Sequence, residues 1–420
     1  MTERGKKSLE TSKEVFKLAS QHYLGAHEAK RMGKPVTWMT GYDPVELLYA
    51  MDIAVVYPEN YSALCAVTQV APKFIEKCES LGYSRDLCSY ARNTIGTTFS
   101  QDAPFGGLAP PDFLVVARKF CKTHIKWWQV LSRRFNCPLF IIDAPYITGK
   151  VEDYHIDHYL AQLEELIAFL EKQTGKKMDY DKLAEVVKLS DRASALWDEI
   201  MEMRKNVPCP VGAADILSCM FGIVTLPGTR TAVEFYERLR DEVKERVKNK
   251  IGTVPVERFR LTWDNIVMWY NVGLTNYFQK YGAVFVFEGY TMVWSGRLDP
   301  QKPLESLAKK YLTPFIELNN RAWSMVELCK QYKVDGAVMH SNRSCKFLSL
   351  LQYELKDILM EELGIPSLIL EGDHCDGRAY SDAQIRTRID AFMELLELSL
   401  IHISEPTRLL SISYAVFCLK

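Results

Sequence analysis

Three cysteines sit where a thiolate could do chemistry. In HSNRSCKFLSLLQYE, residues 340–354, Cys345 follows the β-prone run DGAVM, and Phe347, Leu348, Leu351, Leu355, Ile358, Leu359 and Leu363 recur at helical spacing. Cys345 is therefore expected at a helix N-terminus just past a strand. An open α/β sheet receives ligands in the crevice outside the carboxyl ends of its strands, and a helix end favours a thiolate over a thiol. SRDLCSYARNTIG puts Cys88 where a polar turn enters a helical stretch, and DFLVVARKFCKTHIKWW puts Cys121 past a strand as the next helix begins. Dispersed thiolates with no CxxC pair do not match a zinc ribbon, whose ligands come in close pairs. They suit an iron–sulfur cluster, which is held by cysteine thiolates and tolerates wide spacing. Three ligands rather than four would leave one iron open, as catalytic metal sites keep a vacancy. The same residues also read as packed cysteines at helix starts, since a free buried cysteine behaves as a small hydrophobe.

The elements that must position these residues alternate between two periods. In the first third IAVVYPE, FLVVAR and CPLFIIDAP read as strands, and APKFIEKCESLG and CKTHIKWWQVLSRRF as helices. This is a doubly wound α/β pattern. Long helical stretches from about His155 to Gln173 and from Tyr180 to Met203 read as a connector packed along the first domain. After the turn-rich NVPCPVGAADIL the alternation returns, with VPVERFRLTW, GAVFVFEGY, DGAVMH and PSLILEGD as strands and TAVEFYERLRDEVKERVKN, LESLAKKYL and the Cys345 segment as helices. The fold class is α/β, with two doubly wound α/β domains, a cluster-binding cleft between them and a helical connector. The expected boundaries are 1–195 for the first domain with its connector and 196–397 for the second. Residues 398–420, including Cys418, have no helical period and read as a non-native tail.

Composition narrows the function classes. A chain of 420 residues, 48% hydrophobic, can bury two medium cores. Its 52 basic and 53 acidic residues leave no strongly basic face, which argues against nucleic acid as a partner. No apolar stretch approaches the roughly 18 residues of a membrane helix, and the opening MTERGKKSLETSKE is too polar for a signal peptide. The expectation is a soluble cytoplasmic protein whose eleven cysteines are reduced. HIDH, His155 to His158, resembles a zinc pair but has no third ligand nearby, and reads as a helix start. No Walker motif and no GxGxxG after a strand is present. Trp127 and Trp128 read as core or subunit contacts.

Five stretches together resemble one known family. HSNRSCKFLSLLQYE, VVYPEN at Val55 to Asn60, CSYARNTIG at Cys88 to Gly96, CKTHIKWW, and EGDHCDGRAYSDAQIRTRI at Glu371 to Ile389 look like the 2-hydroxyacyl-CoA dehydratase and benzoyl-CoA reductase family, to about Glu397. The resemblance implies one [4Fe-4S] cluster between two α/β domains, with Cys88, Cys121 and Cys345 at the family's cluster-binding positions. It implies a similar second subunit in a heterodimer, an ATP-dependent iron–sulfur activator that delivers one electron, and an acyl-CoA substrate. In family dehydratases that electron turns the thioester carbonyl of a 2-hydroxyacyl-CoA into a ketyl radical anion, which expels the hydroxyl. The radical then loses a β-proton and the electron returns to the enzyme. Glu59 matches a family acid that exchanges protons near the open iron, and desolvation is expected to raise its pKa. His340, Asn342, Arg343 and Ser344 are candidate donors to cluster sulfides or to the thioester oxygen. Asn342 and Ser344 read equally as helix caps.

The chain departs from the pattern in WMTGYDP, where Gly41 stands at the place of a serine in family dehydratases. A benzoyl-CoA reductase-like role, or a subunit whose cluster only relays electrons, stays open on that account. Cys65 is a possible fourth ligand in such a relay and otherwise a packed helix cysteine.

Overall fold

Short apolar, β-branched runs cut off by turns build two sheets in the computed structural model, which describes residues 8–404 apart from 120, 146, 148–149 and 313–320. The first holds β1 (Val36–Met39), β2 (Ala54–Val56), β3 (Phe113–Ala117) and β4 (Leu139–Ile142). The second holds β5 (Phe259–Asp264), β6 (Ala283–Glu288), β7 (Gly336–Asn342) and β8 (Ser367–Gly372). Every pairing is parallel, and the orders are β2-β1-β3-β4 and β6-β5-β7-β8. The two halves therefore share one topology. Every residue of β1, β3, β5 and β6 is buried, because helices cover both faces of a parallel sheet.

The order reverses between β1 and β3, and again between β5 and β7. Crossovers leave these neighbours in opposite directions, which opens a crevice beyond their carboxyl ends. The segments that start there are Thr40–Gly41, Arg118–Lys119, Asn265–Ile266 and the run from Arg343 to Cys345.

The central strand β1 is absent from the sequence reading, whose first strand is IAVVYPE. Four residues with no alternation, followed at once by Thr-Gly, carry too little period to announce a strand. Its register, Thr37 with Phe113 and Trp38 with Leu114 on one side and Val36 with Ala54 on the other, makes it the strand that sets Gly41 in place.

The connector helices are Asp153–Thr174 and Tyr180–Met203. They pack on both halves: the first on helix Pro303–Leu312, the second on helices Val45–Ala50 and Arg230–Lys248. Buried polar ties fix this arrangement. Glu46 accepts hydrogen bonds from Ser190 Oγ at 2.6 Å and Tyr311 Oη at 2.8 Å. Arg204, just past the second connector helix, forks onto both oxygens of Glu288 at 2.8 Å, with both side chains fully buried. Such bidentate pairing gives geometric specificity as well as energy.

Helix Asp382–Ser404 runs through Leu398, past the expected end of the second domain, and residues 405–420 with Cys418 lie outside the described residues. No helix among the described residues is long and apolar enough to cross a membrane.

One close approach matters for the site. Gly96, in helix Ser89–Thr97, lies against helix Ala71–Ser80, and a β-carbon there would fall 1.8 Å from the carbonyl oxygen of Phe74. Backbone cannot yield as a side chain can. Gly96→Ala is expected to cost about 1–3 kcal/mol in urea unfolding and to shift the helix whose N-terminus carries Cys88; an unchanged midpoint would contradict the close contact.

Candidate functional site

A cavity of about 560 Å³ lies at the carboxyl ends of the strands and is lined from both halves of the chain. Cys88, Cys121 and Cys345 all face it, together with Glu59, His124 and His374. Cys121 comes four residues after β3 and precedes helix Lys122–Phe135; Cys345 comes three residues after β7. Cys88 has a different setting from the other two, the polar turn that its sequence predicts. It ends the turn between helices Ala71–Ser80 and Ser89–Thr97 and follows no strand.

The Cys345 segment is also built differently. The apolar spacing from Phe347 to Leu363 implies one helix, but the chain forms a four-residue helix, Lys346–Ser349, breaks at Leu350 and Leu351, and restarts at Gln352–Leu363. So short a helix gives little dipole, and the thiolate preference expected from it does not arise. Burial pushes the Cys345 thiol up to about 12. Burial, with the nearby sulfurs of Cys121 and Cys345, pushes Cys88 well above the ordinary thiol value. In this apolar cavity Cys88 and Cys345 become thiolates only against added positive charge, such as a metal supplies. Among the described residues, no three His, Cys, Asp or Glu side chains gather closely enough to share a single metal ion.

Glu59 sits in the first turn of helix Pro58–Val67, where β2 delivers it. Its Oε1 is 2.9 Å from His124 Nε2, and its Oε2 accepts the Gly41 N–H at 2.6 Å. The pKa direction is the reverse of the sequence expectation. Burial works to raise it, but the charge and hydrogen bond of His124 and the Gly41 N–H hold the carboxyl below its usual value. Burial opposes charge on His124 too, yet Cys121 and Glu59 lift it to about 10. The pair is a carboxylate and an imidazolium.

Gly41 has little room for a side chain. A β-carbon would lie 3.2 Å from the Trp294 ring and 3.4 Å from Glu59 Oε2.

His374, two residues past β8, is fully buried with a ring centroid 4.1 Å from that of Tyr90. Its Nδ1 is 2.8 Å from Asn342 Nδ2 and 3.0 Å from Asn342 Oδ1; its Nε2 is 3.0 Å from Ser89 Oγ and 3.8 Å from Cys88 Sγ. Burial keeps its pKa below the usual imidazole range.

The residues around Cys345 divide by this geometry. Asn342 grips His374, and Ser344 Oγ accepts the Ser89 N–H at 3.2 Å, so both position the Cys88 side of the site. Neither caps the helix, whose N-cap is Cys345 itself. His340 is buried within β7, bonds Ile266 O at 2.5 Å through Nδ1, and does not line the cavity. Arg343 is exposed and stands off the cavity. Cys65 is buried away from the lining, as a packed helix cysteine. His155 closes a capping box with Glu152, and His158 bonds Asp143 O at 2.9 Å, so HIDH starts a helix. Trp127 and Trp128 are core, with ring centroids 4.7 Å apart.

Sequence reasoning gives no role to His124 or His374, although both lie in stretches it singles out. The signals are there: His124 is three residues after Cys121 at a helix start, so the two share a face, and His374 follows a strand's carboxyl end.

Known proteins resemble the chain along most of its length. The profile of the 2-hydroxyglutaryl-CoA dehydratase D-component family matches residues 40–396. The (R)-2-hydroxyisocaproyl-CoA dehydratase alpha subunit of Clostridioides difficile is 33% identical over 386 residues, covering 90% of this chain and 94% of that one. The (R)-phenyllactyl-CoA dehydratase alpha subunit of Clostridium sporogenes is 30% identical over 413 residues, covering 92% and 97%. One subunit of the benzoyl-CoA reductase of Thauera aromatica is 29% identical over 376 residues, covering 84% and 86%.

Proposed function

The chain belongs to the 2-hydroxyglutaryl-CoA dehydratase D-component family, and from that membership we propose that it is the cluster-bearing subunit of a 2-hydroxyacyl-CoA dehydratase, a lyase that removes water to leave an enoyl-CoA. The observation that carries this reading is the meeting of Cys88, Cys121 and Cys345 on one cavity with Glu59. The relatives are named as alpha subunits, which implies a partner subunit here. A [4Fe-4S] cluster suits the donor set: Cys88, Cys121 and Cys345, soft sulfurs from distant segments on one cavity, would hold it. When bound, it supplies a single low-potential electron to the thioester.

The chain's own groups do the rest. Glu59, held ionised by His124 Nε2 and the Gly41 N–H, has the charge to accept the β-proton at a carboxylate oxygen. His124 carries the proton that the departing hydroxide needs to leave as water. Atoms then balance: hydroxide leaves C2, a proton leaves C3, and the electron is recovered. Tyr290, Trp269 and Trp294 line the cavity with aromatic rings, a surface that disfavours water beside the reacting groups. His374, buried and uncharged between Asn342 and Ser89, fixes the wall beside Cys88.

A second reading, reduction of an aromatic thioester, is favoured by one observation: Gly41 and Trp294 fill the place of the expected serine. One experiment separates the two. The chain, purified without oxygen with its partner subunit and supplied with an ATP-dependent iron–sulfur activator, is expected to convert 2-hydroxyacyl-CoA to enoyl-CoA. Reduction of benzoyl-CoA with no dehydration would establish the second reading instead.

A further inference from the structure

The wall of the cavity away from the cysteines is apolar and uncharged. Along helix Pro58–Val67, Asn60, Ala63, Leu64 and Val67 line it at helical spacing beyond Glu59. At about 1.5 Å per residue, Val67 lies about 12 Å along the helix axis from Glu59. Leu217, Phe221 and Val224, from helices Ala213–Cys219 and Phe221–Thr225, form another side of it, and Phe16 of helix Val15–Arg31 stands at its exposed rim. No lysine or arginine is among the described residues that line the cavity. Two hydroxyls in this wall are already donated to backbone carbonyls, Thr68 Oγ1 to Leu64 O at 2.8 Å and Ser218 Oγ to Ala214 O at 3.0 Å, and Asn60 Oδ1 accepts Tyr23 Oη at 2.7 Å; Tyr57 Oη, at the Glu59 end, is buried without a hydrogen-bond partner among the described residues.

Resting on the reading of the chain as an acyl-CoA enzyme, we propose that this wall receives an uncharged, apolar acyl chain and rejects one that ends in a carboxylate. The reacting thioester lies at the end with Glu59 and the cysteines, so what extends along helix Pro58–Val67 is the acyl tail or the pantetheine arm. The pantetheine arm carries two amides and a hydroxyl, which this wall gives few partners. An acyl tail needs none. A terminal carboxylate would be buried there without a counter-charge, which is far costlier than burying methyl groups.

The test reads binding without turnover. The anaerobically purified two-subunit enzyme is titrated by calorimetry with 4-methylpentanoyl-CoA and with glutaryl-CoA, both of which lack the reactive hydroxyl. The first is expected to bind more tightly by on the order of 100-fold. Equal affinities, or tighter binding of glutaryl-CoA, would overturn the proposal. Val67→Arg, at a half-buried position, is expected to narrow the gap about tenfold, and Leu64→Ala to weaken only 4-methylpentanoyl-CoA, about tenfold. An unchanged gap in both variants would remove this wall from the acyl site. An enzyme that dehydrates nothing yet keeps the preference would overturn the dehydratase reading and support this one.

Discussion

Cys345→Ser protein, purified without oxygen, is expected to lose most of its iron and to fall in dehydration rate by more than about 100-fold, while its far-ultraviolet circular dichroism stays that of the parent. Partners outside a metal's own ligands already cost about 10–100-fold when removed, so a ligand should exceed that range. Serine is close to isosteric with cysteine, yet its oxygen is a hard donor where a soft one is needed. The position also tolerates change structurally. Cys345 is half-buried, and the helix it caps has only four residues and no side-chain cap. A variant that retained the full iron content would remove Cys345 from the ligand set, and the cavity would need another third donor.

Glu59→Gln is expected to do the opposite to the two observables: iron retained, turnover reduced by about 10²–10⁴-fold, the usual range for loss of a general base. Glutamine keeps the shape and can still accept the Gly41 N–H at 2.6 Å through its carbonyl, so the fold has no reason to change. It cannot hold charge. His124, lifted to about 10 partly by the Glu59 carboxylate, should titrate lower in the variant. Activity of the variant at the parental level would strip Glu59 of any part in proton transfer. Loss of iron would make it a structural neighbour of the cysteines instead.

The features that the sequence displays are those carried by long period or by uninterrupted apolar runs. β3, β6 and the connector helices Asp153–Thr174 and Tyr180–Met203 stand out for that reason. β1 does not, because four buried residues have no period, although it lies at the centre of its sheet. The break after Ser349 is hidden by leucines that keep helical spacing across it. Of the site, Cys121, Cys345 and Glu59 are visible as residue types near strand ends, and Cys88 as one that closes a polar turn. The direction of the Glu59 shift is not, since it depends on His124 arriving from another helix and on a backbone N–H at Gly41. Likewise Asn342 and Ser344 read as caps from sequence alone, and only the approach of β8 and helix Ser89–Thr97 turns them toward His374 and Ser89.

The central claim is that thiols from residues 88, 121 and 345 jointly hold an inorganic cluster at the cavity shared by the two halves. Iron and acid-labile sulfide determination on the anaerobically reconstituted wild-type chain, with Mössbauer spectroscopy on the same sample, tests it most directly. About four irons and four sulfides per chain, with the spectrum of one cubane, is the expected result. A colourless chain that takes up no iron, or one that binds a single zinc ion, would contradict it.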